Sequence, residues 1–383
     1  MLIEIVYIVV MNSTLTDMHD LFFELIQVAI GRREKISRTL TSQEWETLYR
    51  MAESQAVLGI CFFGVKRIKE TQTEMPLSLF MEWVAMAAII YQKNKDMDRK
   101  SAELWTFLNK AGLDCAILKG QGIAELYGVV KEELGIGNDT LGMLRQSGDI
   151  DVWVKGGFDV VNDFVQKTQP TKDIAYHRFH YNMYADTEVE LHHRPTLMRN
   201  LFDDRRLQRW CDSFGADTFV MTDKGFKVPS FEFNRIFILT HIYKHFLFEG
   251  IGLRQLMDYY YVLKASSQPS PAREDEIRLI KRIGMKRFTA AVMWVLGHVF
   301  GLEKEYMLCA PDAKEGQFIL DEIMQTGNFG QGDRRYKGYG KMRRMSKHGM
   351  HLLIHYPSEV LWTPVWLVYH KVWKYRKIKQ INI

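Results

Sequence analysis

The sequence predicts an α+β fold, with a short segment of strands and helices lying between N- and C-terminal helical regions. Three observations carry this. Apolar residues recur at helical spacing as far as about residue 110. Short apolar and alternating runs punctuated by glycine take over from Asp114. Helical spacing returns at Phe231. The expected organisation is a helical region at 1–110, a core at 111–225, a helical domain at 226–330 and a basic, aromatic tail at 331–383. A length of 383 residues suits two or three domains of ordinary size.

In the first region, Thr41-Ser42-Gln43-Glu44 has the pattern of a capping box, and Trp45, Leu48, Met51 and Ala52 follow at helical spacing. A second helix is expected from Pro76 to about Lys110, stopped by Gly112. Cys115–Leu118 reads as a strand that turns at Lys119-Gly120 into a short helix, Ile123 to Tyr127. A loop then runs to Arg145, with Gly135, Gly137, Asn138, Asp139 and Gly142 as turn formers. Asp149–Val154 alternates, which puts Asp149, Asp151 and Trp153 on one face and Ile150, Val152 and Val154 on the other. A helix over Phe158–Gln166 precedes a hairpin, with strands Tyr176–Tyr184 and Glu188–His193 around a turn at 185–187. Helices resume at Phe231, at Leu253–Leu263 and over 275–327.

Two aspartates at i and i+2 of a strand point the same way, about 7 Å apart along the chain. Like charges that close repel unless a cation joins them, and a hard divalent ion, Mg²⁺ or Mn²⁺, suits carboxylate oxygen. Aspartate is also depleted in strands, so an apolar-flanked pair calls for an explanation. A bare Asp-x-Asp is more often an exposed strand face or an acidic turn. Here Lys119-Gly120-Gln121 stands where a strand gives way to a helix, a place for close backbone approach and phosphate binding. Glu190 offers a third carboxylate on a neighbouring strand, with His192 on its face. His241 and His245 are four apart on a helix, as are Arg254 and Asp258. For these the plain readings are packing histidines and an intrahelical ion pair, and the sharper reading of Arg254 and Asp258 is contact with nucleotide or acceptor.

The series Leu118-Lys119-Gly120, Tyr127, Arg145, Gly148-Asp149-Ile150-Asp151 and Glu190-Leu191-His192 resembles the uncharacterised bacterial nucleotidyltransferases of the DNA polymerase β superfamily. The likeness extends over most of residues 15–265, including Gly250-Ile-Gly-Leu-Arg-Gln-Leu-Met-Asp258. It implies a small mixed sheet flanked by helices, and a two-metal transfer of NMP from an NTP, ATP foremost. Asp149, Asp151 and Glu190 would be both the catalytic and the metal-binding carboxylates. Lys119, Gly120, Gln121, Arg145 and Gly148 would bind the nucleotide. The acceptor is left open among small molecules, sugars, peptides and proteins. The alternative is an inactive nucleotide- or ligand-binding module on the same fold, since the turn reads Lys119-Gly120 where the superfamily has Gly-Gly or Gly-Ser.

Composition bounds the rest. Hydrophobic residues at 47% and aromatics at 13% exclude a disordered or collagen-like chain. Four scattered cysteines with no CxxC pair give neither a zinc ribbon nor a disulfide scaffold. The first ten residues lack a basic start and a cleavage site, so no signal peptide is expected, and Met11 could equally be the start. No uninterrupted apolar run approaches the ~18 residues of a membrane span. A cytoplasmic protein is expected. Residues 331–383 carry 12 Lys/Arg against 2 Asp/Glu, whereas the other 330 carry 39 against 44. The acidic body argues against nucleic acid as a partner, and the basic tail suits weak contact with an anionic membrane surface. The competing reading of the tail is a last helix whose aromatics pack on the body. Pro364 is expected to interrupt it.

Overall fold

The computed structural model describes residues 17–72, 74–128, 141–265 and 272–330, and beyond these 333, 335, 338–340, 347 and 349–381. The segment up to Met11, the turn formers Gly135, Gly137, Asn138 and Asp139, and the tail arginines 334, 343 and 344 lie outside the described residues.

Among the described residues four helices come first: α1 (17–29), α2 (Ser42–Ser54), α3 (Leu58–Ile68) and α4 (Leu77–Lys110). The capping box is formed. Thr41 N–H donates to Glu44 Oε2 at 2.8 Å while the Thr41 hydroxyl accepts from Glu44 N. The long α4 buries Trp83, Ala87, Ile90 and Tyr91 among the helices and Met97, Leu104 and Leu108 against the sheet. Its buried Asn94 donates to the carbonyls of Met143 and Arg145, at 2.9 and 2.7 Å, and so fixes the chain that leads into the aspartate strand.

The sheet holds β1 (Cys115–Leu118), β2 (Ile150–Val154), β3 (Arg178–His180) and β4 (Val189–His192) in the order β1-β2-β4-β3. It is mixed: β2 and β4 run parallel, and the outer pairs are antiparallel. After β1 come α5 (Gln121–Ala124) and a 3₁₀ turn to Tyr127, and α6 (Gly157–Thr168) links β2 to the hairpin. The strand expected over 176–184 shrinks to three paired residues. Further along, the Gln169 side chain binds both the N–H and the C=O of Asn182, which takes that backbone out of the ladder. Alternation sorts the faces as expected. Ile150, Val152, Val154, Val189 and Leu191 join the core beneath α4 and α6, while Trp153 joins the opposite core and stacks on Phe233 at 4.6 Å.

The chain then forms α7 (Leu201–Asp212), a small hairpin of β5 (Val220–Met221) and β6 (Lys227–Val228), and α8 (Phe231–Phe248). Helices α9 (Leu253–Ala265), α10 (Ala272–Arg282), α11 (Lys286–Phe300) and α12 (Ala313–Thr326) follow. The tail ends in α13 (Pro357–Ile381), which runs through Pro364 without a break. Tertiary packing outweighs the roughly 3 kcal/mol an internal proline costs. Trp373 packs on Tyr176 and Phe158 at ring distances of 5.1 and 5.5 Å, and buried Glu359 accepts the N–H groups of Arg199 and Asn200. The tryptophans of this helix, Trp362, Trp366 and Trp373, therefore pack on the body, while Tyr375 is exposed. Among the described residues no helix is long and apolar enough to cross a membrane.

Candidate functional site

The parallel register sets Asp151 of β2 beside Glu190 of β4, and the same face carries His192 one step further along. His192 Nε2 lies 2.7 Å from Asp151 Oδ1 and 3.1 Å from Glu190 Oε2. All three side chains are buried, and their ligand-type atoms lie within 4.8 Å of one another. Asp149, just before the strand, is about one-third exposed and stands at the mouth of this face. Glu190 also accepts from Arg178 Nη1 at 2.6 Å. Glu188, just before β4, is exposed and paired with His180 at 2.8 Å.

Lys119 reaches back from the end of β1, with Nζ 2.7 Å from Asp151 Oδ2 and 3.5 Å from Asp149 Oδ1. Its backbone is in the left-handed region at φ 37°, and Gly120 follows at φ 44°, ψ −116°. Only glycine tolerates the second geometry, which is why Gly120 starts α5. Burial alone would raise the Asp151 carboxyl, but the Lys119 ammonium and the His192 ring outweigh it and hold the acid well below the ordinary carboxylate range. Burial likewise opposes charge on His192, and its bonds to Asp151 and Glu190 prevail and raise it.

A cleft opens beside the aspartates, lined by Lys119, Gly120, Gly148 and Asp149 from the sheet side, by His241, Arg254 and Asp258 from α8 and α9, and by Phe329 from the Asn328–Gly330 turn after α12. The structure thus brings together Lys119, Gly120, Gly148 and Asp149, with Asp151 and Glu190 linked to them through Lys119 and His192. Gln121 does not join them. Its amide is buried against α4, donating to Asp98 at 2.5 Å. Arg145 lines the cleft but is engaged: Nε and Nη2 each lie 2.7 Å from Asp258, whose Oδ1 also accepts from Tyr127 at 2.6 Å. This corrects the expected intrahelical pair of Arg254 with Asp258. The bidentate fork of Arg145 takes the carboxylate, and Arg254 Nη1 donates instead to Gln146 O at 2.7 Å. His241 and His245 are depressed chiefly by burial, and His245 Nδ1 meets Glu249, just past the helix end, at 2.6 Å.

Two buried carboxylates and an imidazole suit a divalent ion, with the nitrogen favouring Mn²⁺ over Mg²⁺. The fit rests on this donor set and on Asp151 Oδ2, which is buried and faces a cation but makes no well-angled hydrogen bond. From the sequence, His192 reads as a polar strand residue, or more sharply as one that orients substrate. Its position two residues from Glu190, on one strand face, was the available signal for direct contact with the carboxylates.

Residues 41–301, more than half of the chain, match the model of a family described as uncharacterised nucleotidyltransferase. Among solved structures the chain is similar to an antigenic nucleotidyltransferase-like protein from Paracoccidioides brasiliensis. Identity is 12% and the TM-score 0.31, over 58% of this chain and 97% of that one. No curated protein matches.

Proposed function

Because the chain belongs to this family of uncharacterised nucleotidyltransferases, we propose that it transfers an NMP group from an NTP to an acceptor at the cleft beside Asp149, Asp151 and Glu190. The observation that carries the reading is the strand register, which sets two carboxylates from separate strands side by side, buried, behind a third at the cleft mouth. The acceptor oxygen forms a bond to the α-phosphorus, the bond to the β-phosphate oxygen breaks, pyrophosphate leaves, and the acceptor gives up its proton. Asp149, Asp151 and Glu190, with His192, would hold divalent metal, Mg²⁺ or Mn²⁺. Two such ions, when bound, supply activation of the attacking oxygen and charge stabilisation on the leaving group. Lys119 neutralises Asp151, and its ammonium is placed to move onto phosphate. Arg178 and His192 hold Glu190 in place. A small molecule, sugar, peptide or protein suits the acceptor role better than nucleic acid, given the acidic body.

Mg·NTP, ATP first, should raise the melting temperature, because a ligand bound only by the folded chain stabilises it. EDTA should remove the shift. No shift with any of the four NTPs, in Mg²⁺ or Mn²⁺ at millimolar concentration, would count heavily against the reading. One observation favours the second reading, a module that binds without turnover: with Lys119 Nζ 2.7 Å from Asp151, the chain itself supplies a cation to the site.

We also propose a cytoplasmic location with peripheral contact to an anionic membrane surface through α13. Its outer face exposes Leu361, Val365, Val368, Val372 and Tyr375, spaced four and three residues apart. At 100° per residue, exposed Lys371, Arg376 and Lys379 fall in line with this stripe or on its flanks. Lys374 and Lys377 are tied to Asp173 and Asp159. A second copy fits less well, since the only acidic residue of the helix, Glu359, is buried. Deleting the tail would strip a packed helix, so substitution is the cleaner test. Full-length protein should sediment with anionic but not neutral vesicles, and high salt should weaken this, at about 1 kcal/mol per basic residue. Val368→Ser with Lys371→Gln should reduce it. Equal sedimentation of the variant would remove the stripe from the account.

A further inference from the structure

Arg254 of α9 feels the charges of Asp258 and Asp149 at longer range. Its guanidinium lines the cleft and makes no ion pair among the described residues. Its Nε is buried and has no hydrogen-bond partner. The neighbouring Arg145 takes both oxygens of Asp258 by direct contact, and Arg254 feels that carboxylate only at longer range. Burial, and then the nearby Arg145 charge, pull Arg254 down to about 10. A partly desolvated cation with no carboxylate at contact distance is costly, and an anion in the cleft would complete it.

Facing the same cleft is Phe329, 40% exposed. It adopts φ 53°, ψ 30°, a left-handed conformation that is costly for a bulky residue. The turn that imposes it is clamped to the start of α9. A Cβ on Gly250 would lie 2.7 Å from Gly330 N, so only glycine permits the approach. Gln255 Nε2 donates to Asn328 Oδ1 at 2.9 Å. His245 meets the Phe329 ring edge-on at 5.7 Å, and the Arg254 guanidinium carbon lies 6.0 Å from its centroid. One junction therefore holds the Arg254 guanidinium and a part-exposed aromatic ring at fixed separation, both lining the cleft with Asp149.

We infer that Arg254 and Phe329 form the nucleotide subsite of this cleft, with Arg254 contacting the phosphate chain of an NTP and Phe329 providing a stacking face for its base. The inference rests on the nucleotidyl-transfer reading and adds which residues receive the nucleotide. An aromatic face accepts any base, so selectivity among the four bases is modest. Arg254 is a binding residue here, and Arg145 a positioning residue that holds Asp258 in direct contact.

Titration calorimetry with Mg·ATP and, separately, Mg·tripolyphosphate tests this on the full chain. Arg254→Gln should weaken both ligands by about tenfold or more, the loss expected for a charged hydrogen bond, and Arg254→Lys should recover part. Phe329→Ala should weaken Mg·ATP by roughly 5- to 100-fold, the span of base–aromatic stacking, and leave tripolyphosphate unchanged. Phe329→Trp should bind Mg·ATP at least as well as Phe329→Ala does, and its melting temperature serves as the folding control. Mg·ATP binding unchanged in Arg254→Gln and Phe329→Ala would overturn the inference while leaving nucleotidyl transfer standing. Equal losses of ATP and tripolyphosphate in Phe329→Ala would overturn the stacking role. A wild-type chain that binds no Mg·NTP would overturn the underlying reading, and this subsite with it.

Discussion

Asp149→Asn and Asp151→Asn should each lower turnover by two orders of magnitude or more, about 3 kcal/mol of transition-state stabilisation. Each change removes a negative charge and keeps the shape. Asp151 is the more exacting position, because it is buried between Lys119 and His192 and its loss removes the shorter of the two carboxylate contacts that each of them makes. Its variant should lose stability as well, so turnover must be measured on protein shown to be folded. Asp149 is partly exposed and should lose activity with little change in melting temperature. Glu190→Gln should fall comparably or somewhat less, since Arg178 and His192 still hold the side chain in place. Glu188→Gln is the control. That carboxylate is exposed and, among the described residues, pairs with His180 alone, so its variant should stay near wild-type activity. An inactive Glu188→Gln beside an active Glu190→Gln would mean that the third carboxylate has been misassigned.

Asp258→Ala should destabilise the fold by about 3–5 kcal/mol, the cost of leaving a buried charge without its partner. Asp258 takes both arms of Arg145 and the hydroxyl of Tyr127, and so ties α9 to the segments before and after the 129–140 stretch. Arg145→Met with Asp258→Leu should cost much less than Asp258→Ala alone, because neither charge is then left unpaired. Equilibrium unfolding in urea measures both. A loss below about 1 kcal/mol for Asp258→Ala, the level of an exposed pair, would show that Arg145 is free to serve phosphate.

The contrast between these two sites shows what could be read from the sequence. The carboxylate face was legible because a strand repeats every two residues, so Asp149 and Asp151, and then Glu190 and His192, fall into phase without knowledge of the fold. The helices were legible from capping and spacing, as at Thr41 and Glu44. What escaped was long-range pairing. Asp258 lies four residues from Arg254 on one helix, so a local rule pairs them, yet its partner is Arg145, 113 residues away. Gln121 has the right place in a strand–helix turn, but α4 supplies Asp98 to bind it. Pro364 marks a break by local preference, and packing of α13 on the sheet region carries the helix through it. Phe329 gave no sequence signal, because its importance lies in a backbone conformation imposed by glycines elsewhere.

The most direct test follows the label of an NTP carrying ³²P at the α-phosphate, incubated with Mg²⁺ or Mn²⁺, the full-length protein and a fractionated pool of small-molecule, sugar and protein acceptors. The account predicts that wild-type protein moves the label into one acceptor fraction with stoichiometric release of pyrophosphate, and that Asp151→Asn, folded and at equal concentration, does not. A wild-type protein that binds Mg·NTP yet leaves the label in the nucleotide with every fraction would contradict it and leave binding without turnover as the function of the cleft.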